Sequence, residues 1–244
     1  MLIASTNQVH DSGDRLVDYL DDARADAMIV LDGALPADVL ESLFEASQSK
    51  PVVFACEWVE GDRFPTVRSE NRRGTRAAVR LLHDLGHTKI GHIMGPETNV
   101  LTQSRRQAFI SALDELDLAV RPDWIIPGDF SLDAGCEAAT TWLGLMDKPT
   151  AVFCASDEIA FGFISELTRQ NIHVPKDVSV MGFDDIELAE RFIPSLTTIQ
   201  QDRRLIGATA ANMVLERLND ENTKFASVVP VSLIVRESTA RPKS

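Results

Sequence analysis

The chain has 244 residues, 44% of them hydrophobic and 25% charged, and carries a formal net charge of −13; it is long enough for one large domain or two lobes. So acidic a surface repels phosphate backbones and excludes DNA binding by this chain itself, and no apolar run is long enough to cross a bilayer, which excludes a membrane partner. Three cysteines in unpaired spacing, and a first stretch with neither a basic n-region nor a long h-region, point to a reducing cytoplasm.

Residues 27–31 (Ala-Met-Ile-Val-Leu) read as a buried strand, and the helix after it starts near Pro36, a residue suited to a first turn. Residues 51–55 form a second such strand. A helix is predicted over 71–85 and ended by Gly86, with Arg72, Arg73, Arg76 and Arg80 spread around it as a solvated surface. The strand 89–94 follows. The next helix, 103–116, places Phe109, Leu113 and Leu116 on one face.

Residues 124–130 read as an extended connector, after which Ser131 caps a helix that turns Ala138, Trp142 and Leu145 inward. Residues 151–155 are a short buried strand. Ser156 caps the helix that follows, whose first-turn Asp157 and Glu158 suit the positive end of the helix dipole. The apolar strand from Val178 runs into Gly182-Phe183 and delivers two carboxylates, Asp184 and Asp185, at its end. A long loop leads to a last helix over 203–218, with Ile206, Ala210 and Met213 at helical spacing, and to a C-terminal strand over 226–235. This alternation is that of an α/β fold with parallel sheets and helices on both faces.

Little in the chain points to catalysis. His83, His87 and His92 cannot share one helix face, so no metal is expected, and there is no Gly-x-Ser-x-Gly elbow, P-loop or Gly-x-Gly-x-x-Gly. Cys154 is most simply a small buried hydrophobe. No cofactor and no catalytic residue are assigned. Arg105 and Arg106 do break a local rule, since cations are disfavoured at the start of a helix. That arrangement makes sense if an arginine faces an acceptor such as Asp184 across a cleft; the alternative is an arginine reaching into water.

Five stretches occur in register: Leu85-Gly-His-Thr-Lys-Ile-Gly-His-Ile-Met-Gly-Pro96, Arg105-Arg-Gln-Ala-Phe109, Ala151-Val-Phe-Cys-Ala-Ser-Asp-Glu-Ile-Ala-Phe-Gly162, Val174-Pro-Lys-Asp-Val-Ser-Val-Met-Gly-Phe-Asp-Asp185 and Leu196-Thr-Thr-Ile-Gln-Gln201. Together they resemble the effector-binding domain of the LacI/GalR family of bacterial transcriptional regulators. Gly95-Pro-Glu-Thr98 with Leu101 and Gln103, and Gly128-Asp-Phe130, are most similar to the family's cytidine-responsive branch.

The resemblance implies a periplasmic-binding-protein-like fold of two Rossmann-like lobes with a ligand cleft between them. The expected N-terminal lobe is 1–95 with 200–222, lacking its first strand and helix, and the C-terminal lobe is 96–199 with 223–244. It further implies a homodimer and a small-molecule effector, a nucleoside or a sugar. Arg105 matches the arginine that holds effector hydroxyls, and Asp184 the acid that accepts from them. Phe130 falls where an aromatic stacks on the ligand, Ser156 where a polar residue lines the C-terminal lobe, and Gln201 at a crossover glutamine. Asn99 and Leu101 occupy a specificity loop, and Cys56 or Glu57 ends a strand facing the ligand.

The family's helix-turn-helix is not found in this chain, which starts at a segment resembling the second strand; the expectation is a truncated regulator that reaches operator DNA only through an N-terminal domain absent here. The rival reading is a free-standing solute-binding protein of a transporter, which shares the fold.

Overall fold

Short apolar runs flanked by helix-length segments build two sheets, one in each of two compact units; the computed structural model describes residues 2, 16–61, 63–219 and 224–243. The first unit comprises Met1–Ser69 and Asp202–Val229, the second Glu70–Gln201 and Pro230–Ser244.

In the first unit β1 (Met28–Val30), β2 (Val52–Ala55), β3 (Thr66–Ser69) and β9 (Ala226–Val229) lie parallel in the order β1-β2-β3-β9. A single turn, α1 (Asp18–Asp21), precedes them, and α2 (Ala37–Ala46) joins β1 to β2. Alternate residues of β2 serve opposite faces. Val53 and Ala55 pack against Ile206, Ala210 and Met213 of α8 (Arg203–Leu218), while Val52 and Phe54 pack with Leu20, Leu43 and Phe64. With both faces covered, the strand is apolar throughout. The stretch Met1-Leu-Ile-Ala-Ser5, expected as a strand, lies outside the described residues apart from Leu2.

The second unit begins with α3 (Asn71–Asp84), β4 (Ile90–Ile93) and α4 (Val100–Glu115). It continues through β5 (Ile125–Ile126), α5 (Leu132–Gly144), β6 (Ala151–Cys154), α6 (Asp157–Arg169), β7 (Ser179–Asp184), the short α7 (Glu187–Arg191), β8 (Thr197–Gln201) and β10 (Val231–Ile234). Its sheet runs β10-β8-β7-β6-β4-β5, parallel except for β10, which pairs antiparallel with β8. Ala78 and Leu82 of α3 pack with Phe109 and Leu113 of α4 on one face, over Ile90, Phe153 and Phe183. Ala138 and Trp142 of α5 pack with Phe163 and Ile164 of α6 on the other, over Val152 and Val180. Glycines let α5 and α6 meet backbone to backbone: a Cβ on Gly162 would lie 1.9 Å from the Leu132 carbonyl oxygen.

Four expectations are corrected. The chain passes between units at Ser69–Glu70 and Val229–Pro230, not near 95 and 222, while the middle crossing, at Gln201–Asp202, lies two residues from the expected 199–200. The reason is that α3 and β4 bury their apolar faces in the second unit, where β4 pairs with β5 and β6. The strand expected over 226–235 is two strands in different sheets, parted at Pro230, a residue with no N–H for a ladder. Arg72, Arg73, Arg76 and Arg80 do not spread around α3 but line a single groove. The helix expected from 103 begins at Val100, capped by Asn99.

Candidate functional site

A parallel sheet hands its chain from strand to helix at the carboxyl edge, and a crevice opens where successive strands are added on opposite sides. In the second unit that reversal falls at β4, which has β5 on one side and β6 on the other. Five of the expected residues follow the carboxyl ends of five strands. Arg105 lies on α4 after β4, Phe130 after β5 and Ser156 after β6, while Asp184 ends β7 and Gln201 ends β8.

Arg105 is only 1% exposed, so the reading of an arginine reaching into water is overturned. Its Nε donates to Asn71 Oδ1 at 2.9 Å, and its Nη1 donates to the carbonyl of Ala155. The guanidinium carbon stands 3.7 Å from the centre of the Phe183 ring, and Nη2 lies 3.9 Å from Asp184 Oδ1. A buried guanidinium survives only with partners of this kind, because desolvating it alone costs several kcal/mol. Held so, the fork keeps one orientation without needing to reorganise around a ligand.

Asp184 accepts from Gln201 Nε2 at 2.5 Å and keeps about a quarter of its side chain (26%) open. Its neighbour Asp185 is occupied otherwise, by Arg236 Nη2 and Gln200 Nε2, both at 2.7 Å. The two acids thus divide their roles, one facing the edge and one tying β7 to β8 and the C-terminal segment. Phe130 is half-buried, and its ring lies over Gly95, where a Cβ would come within 2.3 Å of two ring carbons. Only glycine fits beneath the ring. Asp184, Phe130 and Cys56 also share positive φ values, 122°, 70° and 68°, in the left-handed region where non-glycine residues are strained.

Ser156 caps α6 by accepting from the Ile159 amide at 3.3 Å, and Asn99 caps α4 by accepting from the Leu101 amide at 2.8 Å. Leu101 is half-buried in that first turn. Cys56 and Glu57 belong to the other unit, just past β2; the Cys56 amide donates to Val67 at 2.9 Å, and Glu57 Oε2 accepts from the Gly33 amide at 2.8 Å. Direct contact therefore joins Arg105, Asp184 and Gln201.

Three participants were not singled out from sequence as site residues. Asn71 and Phe183 position Arg105. Asp157, expected merely to suit the helix dipole, is fully buried and accepts from Thr198 Oγ1 at 2.5 Å and from the Ile186 amide at 2.9 Å. Burial, with the negative Asp184 and Asp185 nearby, pushes its carboxyl up to about 7. A Cβ on Gly182 would stand 2.2 Å from Asp157 Oδ1, which explains the glycine two residues before Asp184. The signal for Asn71 and Asp157 was weak, an amide and an acid beginning a helix directly after a strand, and Phe183 read only as part of an apolar strand.

The histidines are apart, as expected. His92 is stacked between Phe109 and Phe153, at 4.9 and 5.1 Å, and burial lowers it to about 4. His87 instead bonds Thr150 and Ala240. Among the described residues no three His, Cys, Asp or Glu side chains are grouped to hold a metal ion, and no helix is long and apolar enough to cross a membrane. Burial also raises the Cys154 thiol well above its ordinary range. What the carboxyl edge offers is a fixed donor fork, an acceptor carboxylate and an aromatic face.

A family model described as a periplasmic binding protein-like domain matches residues 79–239. The HTH-type transcriptional repressor CytR of Escherichia coli K12 is 37% identical over 224 residues, covering 91% of this chain. The solved structure of a LacI family transcriptional regulator from Mycobacterium smegmatis superposes with a TM-score of 0.83 at 28% identity, over 94% of this chain and 84% of that one. The chain belongs to the LacI family. A third LacI-type relative, the Lac repressor dimer solved with operator and the anti-inducer ONPF, matches with a TM-score of 0.83 at 28% identity, over 97% of this chain and 80% of that one. The chain spans 65% of the length of CytR. LacI membership carries with it the periplasmic-binding-protein-like α/β fold, and the two parallel-stranded units agree with it.

Proposed function

We propose that this chain is the effector-sensing and dimerisation domain of a LacI-family transcriptional repressor. A small polyhydroxyl effector, a nucleoside or a sugar, is held at the carboxyl edge of the larger sheet. Arg105 donates to vicinal hydroxyls, Asp184 accepts from them, and Phe130 stacks on the ring. Ser156, Gln201, Asn99 and Leu101 complete the contacts on the same unit. The observation that carries this reading is the buried Arg105 fork, held by Asn71 and Ala155 and set 3.9 Å from Asp184. A preorganised buried donor and acceptor discriminate strongly, because a ligand without the matching hydroxyls leaves them unpaired.

In the full-length homodimer, the effector favours one conformation and so changes operator affinity. That protein works in the cytoplasm, needs no cofactor and leaves its ligand unchanged. The repressor reading is preferred to a transporter's solute-binding protein because the curated relative is a repressor and the Lac repressor was solved on its operator.

A thermal-shift screen against nucleosides, pentoses and hexoses tests the reading. At a hundredfold excess over Kd a ligand adds about 2.7 kcal/mol, which raises the melting temperature of a chain this size by roughly 5–10 °C. The shift is expected for one ligand class and is abolished in Asp184→Ala and in Arg105→Ala. Undiminished affinity in both variants overturns the assignment.

A further inference from the structure

The groove lined by Arg72, Arg73, Arg76 and Arg80 shares no residue with the site above. It has a volume of about 810 Å³, within the usual range for small-molecule sites. All four arginines are exposed. Arg73 pairs with Glu70 at 3.0 Å and Arg76 with Glu115 at 2.6 Å, whereas no ion pair among the described residues engages Arg72 or Arg80. Two carboxylates, Asp84 and Glu115, also line the groove, so four cations face two anions in a chain whose net charge is −13.

Two local rules are broken here. Residues 72, 76 and 80 stand on successive turns of one helix face, where like charges repel. Arg72 and Arg73 also lie in the first turn of α3, which contains no acid, at the end of the dipole that disfavours cations. A bound anion relieves both conflicts at once. Leu81 of α3 and Leu233 of β10 add apolar surface to the same groove.

We propose that this groove binds a small phosphorylated metabolite. The forks of Arg72 and Arg80 take the phosphate oxygens, which match a guanidinium in geometry as well as charge. The organic part lies against Leu81 and Leu233.

Calorimetric titration at low ionic strength, with phenyl phosphate and inorganic phosphate as probes, tests this. Neither probe carries the vicinal alcohol hydroxyls proposed to bind the Arg105–Asp184 pair. Saturable one-to-one binding is expected, tighter for phenyl phosphate, and weakened at least about tenfold in the double variant Arg72→Gln with Arg80→Gln. Both substitutions are at exposed positions, so the variant keeps its fold, which its melting curve checks. Arg105→Gln is expected to leave the affinity unchanged. Absence of saturable binding, or equal affinity in the double variant, overturns the proposal. So does loss in Arg105→Gln alone, which moves the anion to the other site.

Discussion

Arg105 and Asp157 are two buried charges with opposite solutions. The guanidinium is kept ionised by an amide, a carbonyl, a ring face and an acid. The carboxyl is instead pushed up to about 7 from an ordinary 3.8, with burial the largest cause. Between those two pH values the folded chain holds a proton that the unfolded chain gives up. The stability Asp157 contributes is therefore full below about pH 4, falls as pH rises, and is lost above about pH 7. Asp157→Asn can accept from the Ile186 amide and donate to Thr198, and it does not ionise. Its stability relative to the unsubstituted protein is expected to climb from about pH 4 to about pH 7, by up to about 1.4 kcal/mol per pH unit, and to level off above, which melting curves from pH 4 to pH 8 follow. Parallel melting curves over that range would refute the raised carboxyl. The acid was visible in the sequence only as a helix-starting residue. Its partners Thr198 and Ile186 are 41 and 29 residues away, and a pattern of neighbours says nothing about them.

Elements were legible where an apolar period was clean. Residues 151–155 and the helix over 203–218 were readable because burial on both faces, or along one stripe, writes itself into composition. The strands β3 and β8 were not. Thr66-Val-Arg-Ser69 and Thr197-Thr-Ile-Gln-Gln201 are largely polar, and their places come from the neighbouring strands they pair with. The contact between α5 and α6 was equally hidden, since it depends on what glycine lacks. Gly162→Ala sets a methyl 1.9 Å from the Leu132 carbonyl oxygen, so the helices must part. Urea unfolding is expected to show a loss of about 1–3 kcal/mol, whereas Gly144→Ala, which meets nothing within 4 Å, is expected to cost none.

For the whole molecule, charge was readable from composition and connectivity was not. A net charge of −13 predicts that this chain alone leaves duplex DNA unshifted in an electrophoretic assay even at low salt, where phosphate contacts are strongest. A salt-sensitive shift would mean that the arginine groove outweighs the acidic surface. The carboxyl-edge residues were found through family resemblance, whereas the boundaries of the units depend on which sheet each helix buries against, something no local pattern records.

Those boundaries also impose an order of events at the ribosome. The first unit needs α8 and β9, which are translated only after β8 has completed the parallel part of the second unit's sheet. Until then β3 has a bare edge, its later neighbour β9 still unmade. Each unit therefore waits for a returning segment: nascent β1, β2 and β3 wait through most of elongation for the strand that closes their row, and β8 waits a few residues longer for β10.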